Sequence, residues 1–275
     1  MSTRAARTLI ATVATSALAL GSLVGCSSNG TTQAGSHPAQ QNPLAALVAD
    51  VTGSLRKAAD STDKVTSVGF TMTTTTSGVK ASGSGAIAFQ PLAMEVDLTT
   101  SATGATTIRV VNDTFYVKVP AAQRATLHGK TWLKMSPGKN SPFNSVNRQV
   151  QDINPVQQVK TLLASGKAVA VGQETIDGVP TVHYKVTTSV DTALSQVDPK
   201  DRNLVKGVYE HAGVTQITTE IWIDAQYRPH RAHVVTGSLS DTTIDYHNYN
   251  EPVKVDVPPA SQTQDLDALL PGLGQ

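Results

Sequence analysis

The chain has 275 residues, a formal net charge of +1 and 39% hydrophobic residues, a balance that fits one large folded domain or two small ones and lies outside the ranges of disordered chains and of membrane bundles. So small a charge excludes a general electrostatic pull towards nucleic acid. The single cysteine excludes an internal disulfide, so in an oxidising compartment it must pair with another molecule, stay free or be consumed chemically.

In chain order, Arg4 and Arg7 precede an apolar run from Leu9 to Leu20, followed by the small residues Gly21, Ser22 and Gly25. This is the charged, apolar, small-residue order of an export signal over residues 1–25. The run is shorter than the roughly 20 apolar residues that span a bilayer, so a permanent membrane helix is the weaker reading. Leu23-Val24-Gly25-Cys26 resembles the bacterial lipobox, which implies that the Cys26 thiol receives a diacylglyceryl group and becomes the first residue of the mature chain. Losing Arg4 and Arg7 with the signal leaves 20 basic against 21 acidic residues, a net charge of −1.

Residues 26–42 then read as a lipidated flexible tether: "SSNGTTQAGSHPAQQ" holds no large apolar residue. Fully extended, it reaches roughly 50 Å. Asn42-Pro43 has the chemistry of a helix start. Leu44, Leu47, Val48, Val51 and Leu55 recur at helical spacing, which predicts one amphipathic helix ending near Asp60. From Val65 the period changes to two through a Thr-rich stretch, "GAIAFQ", "MEVDLTT" and "TIRVV". "IRVVNDTFYVKVP" reads as a hairpin turning at Asn112-Asp113.

"NPVQQVKTLLASG" predicts a helix opened by Asn154-Pro155 and closed by Gly166. Strand character returns on both sides of Asp177-Gly178, a strong hairpin signal. A further helical patch covers residues 191–209, and "TQITTEIWIDAQYRPHRAHVVTGS" is the best-marked hairpin. "TTIDYHNYN" and "VKVDVPP" complete about ten expected strands, and residues 260–275 read as a loose tail. Strands run in blocks broken by helices, which predicts an α+β fold with one large antiparallel sheet. The folded domain is expected over residues 43–259.

Sites of chemistry are sparse. His230 and His233 are the one close histidine pair; three apart on a strand they face opposite sides, so they read as polar surface residues and not as a chelate. No nucleophile elbow, zinc-protease or phosphate-loop motif is present, and "SGVKASGSG" reads as a flexible strand connection. The expectation is therefore no catalytic residue, no metal, no cofactor and no enzyme activity. Aromatic residues are only 4% of the chain, so small side chains fill the interior. Composition alone favours a normally packed core.

The order of lipobox, tether, helix and Thr-rich strands, then "GQETIDGVPTVHYKV", "IWIDAQYRPHRAHV" and "NEPVKVDVPPAS", resembles the actinobacterial lipoproteins of the LppX/LprG type. A more distant resemblance is to the LolA/LolB lipoprotein carriers. It implies a single strongly curved antiparallel sheet, a half-barrel, with helices over its concave face around an apolar cavity that holds acylated lipid or glycolipid. This reverses the packed-core expectation. Candidate lining residues, chosen by pattern, are Phe70, Met72, Met94, Val96, Leu98, Ile108, Val110, Phe115 and Val117 from strands, with Val156, Val159, Leu162 and Leu163 from a covering helix.

The expected function is a membrane-anchored extracytoplasmic lipoprotein that binds such a lipid and carries or presents it in the cell envelope. Its expected partners are the lipid, the membrane through the anchor and an envelope transport partner, with no nucleic acid. The alternative is a non-catalytic binding or regulatory module for a protein or peptide partner. Cys26→Ala is expected to leave the fold intact and to abolish membrane retention of the cleaved chain, which membrane fractionation with N-terminal sequencing measures.

Overall fold

The computed structural model describes residues 43–135, 153–195, 197, 199 and 202–266, all within the compact unit Gln41–Gln275. The expected export signal, Cys26, the tether and residues 267–275 lie outside the described residues.

The first helical stretch is two helices, α1 (Pro43–Ala49) and α2 (Val51–Thr62), where the apolar spacing had predicted one. Asp50 separates them: its backbone leaves the helical region (φ −126°, ψ 82°) and its carboxylate accepts from the Gly53 N–H at 2.8 Å. Such a cap contributes about 1 kcal/mol, and local hydrogen bonding of this kind breaks a periodic stretch. Among the described residues the remaining α-helices are α3 (Pro155–Ser165), α4 (Val190–Ser195) and α5 (Arg202–His211). Asn154 caps α3 by accepting from Val156 N at 2.9 Å, and Gly166 ends it with φ 63°, as the sequence predicted.

The strands are β1 (Ser67–Thr76), β2 (Val79–Phe89), β3 (Leu92–Thr100), β4 (Gly104–Val111), β5 (Thr114–Lys118), β6 (Trp132–Met135), β7 (Val169–Ile176), β8 (Val179–Ser189), β9 (Gln216–Asp224), β10 (Pro229–Thr236), β11 (Ser240–His247) and β12 (Thr263–Asp265). They form one 12-stranded sheet in the order β12-β6-β5-β4-β3-β2-β1-β11-β10-β9-β8-β7. Neighbours are antiparallel throughout, except that β12 runs parallel to β6. The two ends of the order do not pair, so the sheet is open and not closed into a barrel. Twist accumulates across so many strands, and an open sheet of this width has to coil. The hairpin turns expected at Asn112-Asp113 (φ 51° and 53°) and Asp177-Gly178 (φ 49° and 81°) are present. Their left-handed backbone matches the twist of the flanking strands.

Two expectations are corrected. "SGVKASGSG" is not a flexible connection: only Ser77-Gly78 turns, and the rest is strand β2 in full register with β1 and β3. "VKVDVPP" is not a strand but part of an extended strap across the polar face. Pro258 and Pro259 offer no ladder donor, and the strap is fastened at Glu251 O by Ser67 Oγ (2.5 Å) and at Asp256 O by Arg109 (3.1 Å). The strap delivers Thr263–Asp265 to β6, so the stretch read as a loose tail begins with a paired strand.

Two apolar clusters fill the same side of the sheet. One joins α1, α2 and α3 to β8 and β9 through Leu47, Leu55, Val159, Leu162, Tyr184 and Ile221. The other lies on β1–β5, β10 and β11, through Val68, Phe70, Ile87, Met94, Val110, Phe115, Ile244 and Tyr246. Strand β2 presents Gly83 and Gly85 to this second cluster. A Cβ at Gly85 would lie 2.2 Å from Glu95 O and 2.9 Å from Val96 Cα; at Gly83 the nearest atom would be 3.2 Å away. Gly85 is thus required because the backbone of its paired neighbour β3 comes too close for a Cβ. Gly85→Ala is expected to cost about 2 kcal/mol or more, a fall in Tm of about 4–8 °C for a domain of this size. Gly83→Ala should cost clearly less in the same thermal-unfolding measurement.

Candidate functional site

Registers place the strand candidates in lateral rows on one face. Phe115, Val110, Met94, Ile87 and Val68 form the first row across β5 to β1. Val117, Ile108, Val96, Gly85, Phe70 and Tyr246 form the second, reaching β11. Leu98, Gly83, Met72 and Ile244 form the third. Phe70, Met94, Val96, Val110 and Phe115 are buried, whereas Met72, Leu98, Ile108 and Val117 are half-buried. All except Leu98 belong to the second cluster. The face is sealed along its first row and less covered towards the β1–β2 and β3–β4 turns.

The helix candidates are elsewhere. Val159 and Leu162 are fully buried and Leu163 packs beside them in the first cluster, against β8 and β9; Val156 is buried on the same helix. Helix α3 packs on α2 and on β8–β10, so the structure does not bring its apolar stripe onto the β1–β5 candidates. Pattern reading missed Ile87, Ile244, Ala232 and Tyr246. All four were legible in the alternation of β2, β10 and β11, Ile87 in "GAIAFQ" among them. In the first cluster Tyr184 is fully buried and donates to Leu47 O at 2.9 Å, tying α1 to β8, and burial pushes its pKa up to about 12.

The opposite face is polar and densely paired. Glu174 accepts from Trp222 Nε1 (2.9 Å) and from His183 Nδ1 (3.0 Å), and the imidazole stacks on the indole at 4.1 Å. The Trp222 N–H, with His183, holds the Glu174 carboxyl below its usual range. Glu220 pairs with Lys185 (2.8 Å) and His233 Nδ1 (2.9 Å), and these contacts outweigh the burial that would raise its pKa. Asp224 is 1% exposed and accepts from the Gln226 and Arg228 amides, Arg228 Nε and His230 Nε2. Burial raises its pKa, but His230 and Arg228 prevail and the net direction is down. His230 and His233, expected on opposite sides of a strand, both lie on this face because the β9–β10 register shifts between Pro229 and Arg231; they are partly buried and committed to different carboxylates, His230 to Asp224 and His233 to Glu220 and Asp241. Among the described residues no group of three or more His, Cys, Asp or Glu is placed to hold a metal.

These pairs tie neighbouring strands together, and they dictate a pH response. Asp224, with its lowered pKa, stabilises the fold fully above its ordinary value of 3.8 and loses that contribution as pH falls through the folded value. His233 is the reverse case: burial disfavours its charge, Glu220 and Asp241 favour it more, and its pKa rises. Its contribution is complete below 6.5 and is lost as pH rises through the folded value. Asp224→Ala is expected to cost about 3 kcal/mol at neutral pH and to flatten the acid limb of a stability–pH profile. His233→Gln should flatten the limb above pH 6.5, with denaturant titration as the measurement.

No family model matches the chain. It is 32% identical over 179 residues to an uncharacterised 31.2 kDa protein of Streptomyces griseus, covering 61% of this chain and 58% of that one. It is 25% identical over 178 residues to a Streptomyces coelicolor protein whose name includes the word lipoprotein, covering 60% and 53%. The chain thus spans little more than half the length of these curated relatives. Among solved structures, the lipoprotein LppX of Mycobacterium tuberculosis superposes with a TM-score of 0.50 at 22% identity, covering 75% of this chain and 98% of that one. LprF from Mycobacterium bovis superposes with a TM-score of 0.51 at 16% identity, covering 75% and 96%. Among the described residues no helix is long and apolar enough to cross a membrane. With its open 12-stranded sheet and with α1, α2 and α3 packed on its apolar side, the chain has the fold of the actinobacterial lipoproteins LppX and LprF.

Proposed function

We propose that the chain is a lipoprotein anchored through Cys26 on the extracytoplasmic face of the cell membrane, and that its domain binds an acylated lipid or glycolipid along the apolar face of β1–β5. It carries or presents that lipid in the cell envelope and catalyses no reaction. The observation that carries the reading is the continuous apolar surface of Phe70, Met94, Val96, Val110 and Phe115, extended by the half-buried Met72, Leu98, Ile108 and Val117. The helices make their main packing on β7–β10, away from it.

Hydrocarbon supplies the affinity: each CH₂ removed from water contributes about 0.8 kcal/mol, so a chain laid across these rows is held without a charged partner. The anchor keeps the domain beside its donor bilayer, because two or three acyl chains hold a protein firmly where one does so only marginally. The fold shared with LppX and LprF supports this reading, as does the Streptomyces coelicolor relative with a lipoprotein name.

Native mass spectrometry of the lipidated chain purified from its own host is expected to show a non-covalent lipid adduct, and solvent extraction to release it. Leu98→Trp with Ile108→Trp, which fills the less covered end, should lower the loaded fraction about tenfold, as loss of roughly two buried methylene groups would. A chain that is ligand-free by both measurements would rule the carrier out.

A further inference from the structure

The tyrosines on the apolar side of the sheet are not equivalent. Tyr184 donates to Leu47 O at 2.9 Å, and Tyr249, packed against the second cluster, donates to Pro229 O at 2.5 Å. Tyr246 is 3% exposed, and no protein group among the described residues accepts from its hydroxyl. Buried hydroxyls are nearly always satisfied, and one left without an acceptor costs about as much as a lost hydrogen bond. The other buried side-chain nitrogen without a partner, His183 Nε2 on the polar face, has Glu220 Oε1 at 3.8 Å. Tyr246 packs within the apolar cluster with Phe70, Ile244 and Met72.

Its place in the fold is specific. Tyr246 pairs across the ladder with Phe70, in the row that continues through Gly85, Val96 and Ile108. That row lies midway between the sealed row of Val68 and Met94 and the less covered row of Met72 and Leu98. Adjacent rows are about 7 Å apart along the strands. Gly85, with no side chain on this face, adds no bulk beside Phe70. Towards the less covered end the hydroxyls of Thr74 and Thr242 satisfy each other at 2.7 Å, which leaves Tyr246 as the donor set within the hydrocarbon surface.

We infer that the Tyr246 hydroxyl is a ligand contact: it donates to the ester carbonyl of an acyl chain lying along the apolar face. This rests on the lipid-binding reading and narrows it to an ester-linked acyl lipid. One neutral donor surrounded by Phe70, Ile244 and Met72 matches a single carbonyl flanked by hydrocarbon. A sugar or phosphate group would bring several polar atoms into a surface that offers one partner, at a heavy desolvation cost. Burial raises the Tyr246 pKa, so the group stays a donor at any physiological pH.

The test uses the lipidated full-length chain in detergent, stripped of its own lipid and offered an equimolar mixture of dipalmitoylglycerol and the dihexadecyl ether that lacks both carbonyls. Native mass spectrometry of wild type is expected to show the ester retained about fivefold over the ether, the ratio of one neutral hydrogen bond. Tyr246→Phe should bring that ratio to about one without lowering Tm, since it removes a hydroxyl that no protein group uses. Both lipids bound without preference, or a preference kept by Tyr246→Phe, would overturn the contact and leave the carrier reading standing. A drop in Tm in Tyr246→Phe would show that the hydroxyl serves the fold and would also overturn it. Neither lipid bound by wild type would sink contact and carrier together.

Discussion

The constraint on which the rest of the molecule depends is that an open sheet of 12 strands has one apolar face to keep from water. Hydrophobic burial scales with area, and a surface this wide is more than the described helices can cover. The structure divides the task. Over β8 and β9 the short helices α1, α2 and α3 build a conventional core, with Leu47, Leu55, Val159 and Leu162 at 1% exposure or less. Over β1–β5 the cluster is built from the strands' own large side chains, joined by Ile153.

The polar face answers the matching problem. A sheet that coils must hold its register, because a slip of one residue would exchange its two faces. The segments that marked the resemblance in sequence are the ones that pin this register. Glu174, from the β7 hairpin, takes its hydrogen bonds from Trp222 on β9 and His183 on β8, and Asp224, two residues after that tryptophan, closes the β9–β10 turn through Arg228 and His230. The proline-rich ending is the strap held by Ser67 and Arg109. These residues tie β7 to β10 together on one half of the sheet and fasten the strap to β1 and β4 on the other, and the markers say nothing by themselves about a ligand.

Legibility followed locality. Caps and turns whose chemistry sits within a few residues were readable: Asn154 and Gly166 around α3, Asn112-Asp113 and Asp177-Gly178 in their hairpins. Alternation placed Phe70, Met94, Val96, Val110 and Phe115 on one face correctly. The failures are long-range. A glycine-rich stretch looks like a loop unless its neighbours are known, and Gly85 is explained only by how closely the backbone of Glu95 and Val96 on the neighbouring strand approaches it. The stripe of α3 was legible as buried, but nothing in the stripe says which strands it meets. Tyr246 was visible as an inward strand position, whereas the lack of an acceptor for its hydroxyl is a property of everything around it.

The separation of the two clusters bears directly on how such a protein could exchange a ligand. Packed cores are bistable and resist gradual deformation, so a ligand lodged between helix and sheet would leave only if the helix layer moved. Here α3 is committed to β8–β10 and to α2, and Tyr184 bolts α1 to β8 through Leu47. A ligand on β1–β5 would lie outside that layer, against the half-buried row of Met72 and Leu98, with exchange and stability assigned to different parts of one sheet. Methionine and leucine at that row adapt to a flexible chain at little cost, while the fully buried helix core sets the free energy of the fold. A carrier of the proposed kind would need both properties at once, and the division of one apolar face between helices and strands would supply them.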